Sequence, residues 1–277
     1  MSWLRLWIDL TMKTNHPQET FRHSLSVFFP AYNDALSLPG LIHAAFEVLE
    51  GHVADYEVIV VNDGSADDTQ HVAEALRAQY GLRMKVIRHE VNRGYGGALR
   101  TGFATASKEY VFYTDGDGQY DVRELPKLLA EALPPVGLVN GYKIHRHDPW
   151  HRIVIGSVYN QFARVLFGVQ LKDIDCDFRL VKRSVLESFR LMSTSGTVCV
   201  ELVKGIERSG TQVIEVPVHH SPRLHGRSQF FRLRSLGTTL GQLIDLWVRL
   251  FVFRWLGWDR GVQSSDSPAL ESSGPKG

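Results

Sequence analysis

Between residues 25 and 143, short apolar runs alternate with segments in which apolar residues recur at helical spacing. The apolar runs are rich in β-branched and aromatic residues and predict strands at 25–32, 56–63, 84–90, 110–117 and 137–143. The segments between them predict helices at 35–50, 67–80, 94–107 and 124–133. Such alternation favours right-handed crossovers and a doubly wound, mostly parallel sheet with helices on both faces. We therefore predict an α/β fold for this part of the chain.

The pattern is less regular after residue 143. It predicts a polar connection, a helix at 152–168, a short segment dense in acids and bases at 173–183, helices near 184–190 and 196–209, and a strand at 212–220. A basic loop at 221–229 leads into an amphipathic region at 235–256, and the last residues are rich in Ser, Gly and Pro. We expect four parts: an amphipathic N-terminal extension (1–23), a main α/β domain (24–230), a basic amphipathic helical segment (231–257) and a disordered tail (258–277).

Overall charge and cysteine content narrow the classes of function. The 277 residues include 31 Lys and Arg against 30 Asp and Glu, so no global charge attracts nucleic acid. The two cysteines, Cys176 and Cys199, lack the CxxC spacing and cannot build a disulfide framework. A reducing compartment and the absence of structural zinc are expected.

The C-terminal amphipathic region bears on whether the protein spans a membrane or binds to its surface. Its apolar stretch at 240–256 is interrupted by Asp245, Arg249 and Arg254, whereas a spanning helix needs about 20 mostly apolar residues. We predict no transmembrane helix. Residues 222–254 contain six arginines and one aspartate among apolar residues, a composition that suits an anionic membrane surface. A helix packed on the domain or on a dimer partner is the alternative.

Polar residues follow four of the predicted strands, in PAYND (30–34), NDGSADD (62–68), HEVNRGYGG (89–97) and TDGDGQYD (114–121). Ligands of open α/β sheets bind beyond the carboxyl ends of the strands, so we expect a site there. Asp115 and Asp117 are separated by one glycine and can turn toward one point, where oxygen ligands suit Mg²⁺ or Mn²⁺. Taken alone, the same residues could form a solvated turn.

The glycine-rich segment 92–102 does not match two other nucleotide-binding motifs. It lacks the GKS or GKT of a P-loop. A dinucleotide fingerprint that starts at Gly94 would need a glycine at position 99, where Leu99 stands.

Six motifs in order resemble those of family 2 glycosyltransferases: PAYND (30–34), VNDGS (61–65), NRGYGGALRTG (92–102), DGDGQYD (115–121), DCDFRL (175–180) and HGRS (225–228). Within that family the chain is similar to the polyprenyl-phosphate sugar transferases of the dolichyl-phosphate mannose synthase kind. The resemblance implies a GT-A fold, a nucleotide-sugar donor, a divalent metal and inversion at the anomeric carbon.

The resemblance also assigns expected roles to individual residues. Donor binding falls to Pro30, Tyr32, Asp34, Asp63, Asn92, Gly94, Gly97, Arg100 and Asp115. Within this set Asp34 departs from the more usual Glu, Asp63 would hold the base or ribose, and Arg100 would lie near phosphate. Metal binding falls to Asp115, Asp117 and Gln119, and the catalytic pair is Asp177 and Arg179. The acceptor phosphate would be held by Arg223, Arg227 and Ser228.

The expected function is metal-dependent transfer of a sugar from a UDP- or GDP-sugar onto a polyprenyl phosphate at the cytoplasmic membrane face. A homo-oligomer or an integral membrane partner is left open, and no nucleic-acid partner is expected. A hydroxyl acceptor is the alternative, with Asp177 as its general base. A catalytically silent sugar-nucleotide-binding subunit is another. A sugar nucleotidyltransferase would carry a GxGxR-type loop after the first strand, where this chain has PAYND.

Overall fold

The computed structural model describes residues 21–144, 150–223 and 233–252, and its centre is one seven-stranded sheet. The strands are β1 (Leu25–Ala31), β2 (Tyr56–Asn62), β3 (Met84–Arg88), β4 (Tyr110–Thr114), β5 (Val136–Ile144), β6 (Phe178–Lys182) and β7 (Gln212–His219). Their order across the sheet is β3-β2-β1-β4-β6-β5-β7. Only β6 runs antiparallel to its neighbours, β4 and β5, so the sheet is mostly parallel as predicted.

Helices cover both faces of this sheet. They are α1 (Leu38–His52), α2 (Thr69–Tyr80), α3 (Tyr95–Thr105), α4 (Leu125–Glu131), α5 (Trp150–Phe167), α6 (Arg183–Leu186), α7 (Thr197–Arg208) and α8 (Leu233–Trp247), which a π-helical turn (Val248–Val252) extends. None of the described helices is long and apolar enough to cross a membrane.

Two hydrophobic cores lie on opposite faces of the sheet because successive side chains of a strand point to opposite sides. In β1, Val27 and Phe29 join the core that α1, α2 and α4 cover. Phe28 points the other way, into a second core shared with residues of α3, α5, α7 and α8. Both faces are buried, which explains why the parallel strands are almost continuously apolar.

The predicted strands and the principal helices are confirmed, and the α/β fold with them. One central strand, β6, is missing from the prediction, because the segment 173–183 carries charged residues at short intervals. One of these, Arg179, is fully buried at the middle of β6. A buried arginine in a central strand runs against the usual preference for exposure of this side chain.

The reversed direction of β6 brings its first residue to the edge where the parallel strands end. Phe178 pairs with Thr114, the last residue of β4. Asp177 and Asp115, the residues just beyond this pair, therefore meet at the carboxyl edge of the sheet.

A buried carboxylate ties together the opposite edge of the sheet. Glu57 Oε1 accepts hydrogen bonds from Ser26 Oγ at 2.7 Å and from the backbone and side chain of Ser107 at 2.7 and 2.8 Å. Lys85 Nζ lies 2.5 Å from Oε2. Burial raises the pKa of Glu57, but these partners outweigh it and lower the pKa to about 2.

Replacing Glu57 by Gln should lower the free energy of unfolding by about 2–3 kcal/mol at pH 7, because hydrogen bonds to a charged group are the stronger ones. The folded pKa lies below the usual value of 4.5, so the stabilisation is present above that pH and fades as the pH falls toward 2. Urea unfolding at several pH values should show the difference between wild type and variant shrinking over this range.

Glu74→Gln is the matched control, since Glu74 pairs with Arg77 on the exposed surface of α2. Its effect should stay below about 1 kcal/mol. A stability difference for Glu57→Gln that is the same at pH 7 and pH 3 would contradict the role of this charge.

Candidate active site

The turn that carries Asp115 and Asp117 is fixed to the end of β1. The backbone N–H of Gly116 donates to the carbonyl oxygen of Pro30 at 3.0 Å, and Ser37 Oγ donates to the carbonyl oxygen of Gly116 at 2.7 Å. A Cβ at position 116 would lie only 2.9 Å from that Pro30 oxygen, so the close approach requires glycine. Both carboxylates are thus held on a rigid support at the carboxyl edge of the sheet.

Asp115 lies among other negative charges. Tyr95 Oη donates to its Oδ1 at 2.8 Å. Burial, followed by the charges of Asp177 and Asp117, holds the pKa of Asp115 well above its usual range. The site therefore carries more negative charge than its described protein cations neutralise.

Asp117 is oriented from two sides. The backbone N–H of Gln119 donates to its Oδ1 at 3.0 Å, and the guanidinium of Arg223 donates to its Oδ2. The Gln119 side chain, which we predicted as a metal ligand, instead donates to the carbonyl oxygen of Ser221 at 3.1 Å. This contact holds the chain that leaves β7, and it places Arg223 beside the two aspartates.

Arg179 is completely buried and holds Asp177 in place. Its guanidinium donates to Asn140 Oδ1 at 2.7 Å, Tyr113 Oη at 2.5 Å, Asp177 Oδ1 at 3.3 Å and the carbonyl oxygen of Ile174. We predicted Arg179 as part of the catalytic pair, but it offers no surface that a substrate could touch. The structure gives it a positioning role behind Asp177.

Asp177 has two further partners on the same oxygen. Cys199 Sγ lies 3.2 Å and Tyr113 Oη 3.4 Å from Oδ1. Burial and the charge of Asp177 hold the pKa of the Cys199 thiol well above its usual range, so this thiol stays neutral and donates. Cys199 belongs to α7, and no spacing in the sequence links it to Asp177. The other oxygen, Oδ2, accepts no hydrogen bond from the residues described.

The loop after β1 also reaches this edge. Asp34 Oδ2 accepts from the backbone N–H of Tyr32 at 2.9 Å, and the Asp34 N–H donates to Thr69 Oγ1 at 2.9 Å. Burial raises the pKa of Asp34 to about 6; the Tyr32 N–H opposes this rise and the charge of Asp117 adds to it. Asp34 is therefore a partly buried acid whose pKa the charge of Asp117 also raises.

Asp63, predicted to hold the donor base or ribose, follows β2 and is almost fully buried. Its Oδ1 accepts from His89 Nδ1 at 2.6 Å and from the backbone N–H of Arg93 at 2.8 Å. Asn92 Nδ2 donates to the Asp63 carbonyl oxygen at 3.1 Å. We did not predict a role for His89, although its place at the end of β3 was a usable signal.

The glycine-rich segment meets protein where we expected ligand. A Cβ on Gly94 would lie 2.4 Å from the carbonyl oxygen of Thr194, and one on Gly96 2.1 Å from that of Ser193. Arg100, expected near phosphate, donates to the Ser193 carbonyl oxygen at 2.9 Å. The missing side chains admit a neighbouring backbone, so these residues shape the wall of the site from behind.

Two predicted acceptor residues, Arg227 and Ser228, lie outside the described residues, and so does the first part of the N-terminal extension (1–20). Of the predicted phosphate-binding set, the structure describes Arg223 alone.

The carboxylate oxygens of Asp115 and Asp117 suit a divalent cation. Asp115 and Asp117 supply hard oxygen ligands, and the pKa of Asp115 is raised first by burial and then by the neighbouring charges of Asp177 and Asp117. Within the described ranges, no group of three or more His, Cys, Asp or Glu side chains forms a metal cluster. An ion between these aspartates would therefore complete its coordination shell with oxygens of the sugar donor's diphosphate and with water.

The fold is shared with solved glycosyltransferases. Glucosyl-3-phosphoglycerate synthase from Mycobacterium tuberculosis, in complex with phosphoglyceric acid, is 22% identical over 82% of this chain and 79% of its own, with a TM-score of 0.62. The same enzyme in complex with Mn²⁺ and UDP-glucose is 21% identical over 88% and 81%, with a TM-score of 0.61. At this level of identity the likeness establishes the GT-A fold alone.

A family model gives the membership directly. The model described as glycosyl transferase family 2 matches residues 26–190, more than half of the chain. That range includes the turn Asp115–Gly116–Asp117 (the DGD turn), the glycine-rich segment and Asp177. This chain belongs to glycosyl transferase family 2 and is a glycosyltransferase that uses a nucleotide sugar.

Proposed function

We propose that this enzyme transfers a sugar from a UDP- or GDP-sugar onto a polyprenyl phosphate at a membrane surface, with inversion and with Mg²⁺ or Mn²⁺. The observation that carries the proposal is the meeting of Asp115, Asp117 and Asp177 at one sheet edge with Arg223 beside them. Carboxylates suit a metal and a departing diphosphate, and the arginine suits an incoming phosphate.

The donor side of the reaction rests on the DGD turn. When bound, a divalent cation neutralises the charge that develops on the departing diphosphate. Asp115 and Asp117 would hold it, with the Tyr95 hydroxyl and the Gln119 N–H keeping the two carboxylates in position.

A phosphate acceptor needs positive charge more than it needs a base, because its second pKa of about 6 leaves it ionised at neutral pH. Arg223 is placed for this role. Its Nε is buried and has no hydrogen-bond partner among the described residues, and an unpaired buried donor is costly. A phosphate oxygen would remove this cost. Arg227 and Ser228, a few residues further on, remain predicted partners of the same phosphate.

Transfer to a hydroxyl is the second candidate, and one observation favours it. Asp177 Oδ1 takes all the hydrogen bonds from Arg179, Tyr113 and Cys199, which leaves Oδ2 open to accept a proton. The solved relative is crystallised with phosphoglyceric acid, a small acceptor that carries both a phosphate and a hydroxyl. In this reaction Asp177 would act as the general base.

The membrane part of the proposal rests on α8 and its π-helical extension. Leu243 and Leu246 enter the core, while Ile244, Trp247 and Phe251 are exposed on another face. Amphipathic aromatic side chains such as tryptophan favour the membrane interface. The helix is thus packed on the domain and still presents apolar surface outward.

Two other observations change the description of the surface that is proposed to contact the membrane. Helix α5 exposes Val158, Phe162 and Val165, which share one face by their i, i+4, i+7 spacing. Arg249, counted among the cations for anionic lipid, instead pairs with Glu201 at 3.0 Å and Asp245 at 2.9 Å. Apolar contacts with lipid therefore contribute more to the proposed membrane attachment, and the charge of Arg249 contributes less, than we expected from the sequence.

The acceptor can be identified by mass. Purified enzyme with Mn²⁺ and a panel of nucleotide sugars should add one sugar to a short polyprenyl phosphate, and Asp177→Asn should retain measurable transfer because no base is required. Glycosylation of 3-phosphoglyceric acid instead, with a loss of about 10²-fold or more in Asp177→Asn, would establish the second candidate.

Removal of one DGD carboxylate should remove turnover. Asp117→Asn should lower kcat by about 100-fold or more, because a positioned charge at the departing group is lost, and EDTA should do the same to wild type. The control is Asp121→Asn, since Asp121 is exposed, caps a short turn and pairs with the exposed Arg123. Full turnover in metal-free buffer, or in Asp117→Asn, would refute the metal assignment.

Membrane attachment should depend on the exposed aromatic residues. The double variant Trp247→Ser, Phe251→Ser should bind anionic vesicles at least about tenfold more weakly in co-sedimentation, with donor hydrolysis in solution retained. The control is Leu82→Ser, which removes a more exposed apolar side chain from the short turn (Gly81–Arg83) that precedes β3. Wild-type protein that stays in the supernatant at low salt would indicate a dimer face instead.

A further inference from the structure

His89 is held in one tautomer by two neighbours. It is 2% exposed, with Nδ1 2.6 Å from Asp63 Oδ1 and Nε2 2.9 Å from Thr101 Oγ1. An ionised carboxylate can only accept, so Nδ1 carries the proton. In the neutral ring Nε2 then accepts from the Thr101 hydroxyl, and both ring nitrogens are satisfied.

The contact with His89 leaves Asp63 with one oxygen to offer. Oδ1 accepts from His89 Nδ1 and also from the backbone N–H of Arg93 at 2.8 Å. A carboxylate oxygen has two lone pairs for such bonds, so Oδ1 is saturated. Oδ2 accepts no hydrogen bond from the residues that the structure describes, and it is the atom available to a ligand.

Asp63 stands at a suitable distance from the DGD turn for a nucleotide to span. It follows β2, which neighbours β1, which in turn neighbours β4 with Asp115 at its end. Two strand spacings amount to about 10 Å. A donor whose diphosphate lies at Asp115 and Asp117 can therefore place its base near Asp63.

Uracil and guanine make different demands on such a carboxylate. Uracil presents a single N–H between two carbonyl groups, and one oxygen is enough to receive it. Guanine presents N1–H and the 2-amino group side by side, which together need both carboxylate oxygens. With Oδ1 saturated, guanine would leave one donor unpaired in a buried site, a costly arrangement.

We propose that His89 makes the donor site selective for uridine over guanosine nucleotides. It is a positioning residue that sets specificity by filling Oδ1 of Asp63. The inference rests on the proposed function, in which Asp63 receives the donor base, and it narrows the donor from a UDP- or GDP-sugar to a UDP-sugar.

Calorimetric titration of the full chain with UDP and with GDP, both in the presence of Mn²⁺, tests the inference. Wild type should bind UDP at least tenfold more tightly than GDP. His89→Leu frees one lone pair of Oδ1 and should bring the ratio of the two dissociation constants close to one. His89→Asn, whose amide can donate from the position of Nδ1, should restore the preference.

Thr101→Val offers a milder second variant, because it removes the hydroxyl that holds Nε2 and so orients the imidazole toward Asp63, and it should lower the ratio in part. His71→Leu, an exposed histidine of α2, is the control and should leave the ratio unchanged. The ratio is informative because a general loss of structure would weaken both nucleotides together.

Equal affinity of wild type for the two nucleotides, or an unchanged ratio in both His89→Leu and Thr101→Val, would overturn the inference while leaving the proposed function intact. If His89→Leu does not fold, an unchanged ratio in Thr101→Val is sufficient to overturn it. Failure of wild type to bind either nucleotide would overturn the proposed function itself.

Discussion

The buried guanidinium of Arg179 is the constraint on which the site depends. A charge removed from water is tolerated only when it is paired and its donors are satisfied. Here the acceptors come from β4 (Tyr113), β5 (Asn140), the segment before β6 (Ile174) and Asp177 itself. The sheet cannot bury Arg179 without also placing Asp177 at the edge beside Asp115, so the requirements of folding and the geometry of the site coincide.

A second set of contacts connects the C-terminal helix to the donor side. Glu201 accepts from the backbone N–H groups of Met192 and Ser193, and Gln242 of α8 accepts from those of Thr194 and Ser195. The carbonyl oxygens of the same stretch (192–195) accept hydrogen bonds from the donor side: Ser193 from Arg100, and Thr194 from the N–H of Gly96. The helix with the exposed aromatic face therefore supports the wall behind the glycine-rich segment, and the proposed membrane surface and donor site share one framework.

The sequence was sufficient for most of the fold, since apolar strands and amphipathic helices obey local periodicities. It failed at β6, because this strand has only five residues (Phe178–Lys182) and charged side chains stand in it and directly before it. Motif matching found the carboxylates, but not Cys199 or His89, because these act through contacts between residues 22 and 26 positions apart that only the tertiary structure creates. The glycines of segment 92–102 were predicted to admit a ligand, whereas the structure shows Gly94 and Gly96 packed against the backbone of residues 193–194.

The protein's own charges favour a cation at this edge, independently of any relative. Burial raises the pKa of both Asp34 and Asp115, nearby carboxylates raise them further, and the charge of Arg223 lowers both. One arginine is thus shared by several acids at an edge where an anionic diphosphate is proposed to bind. A diphosphate brought to these carboxylates without added positive charge would meet like charges at short range, which is strongly unfavourable in a partly buried site. A divalent ion between Asp115 and Asp117 would reverse that balance and would leave Arg223 to compensate the phosphate of an acceptor.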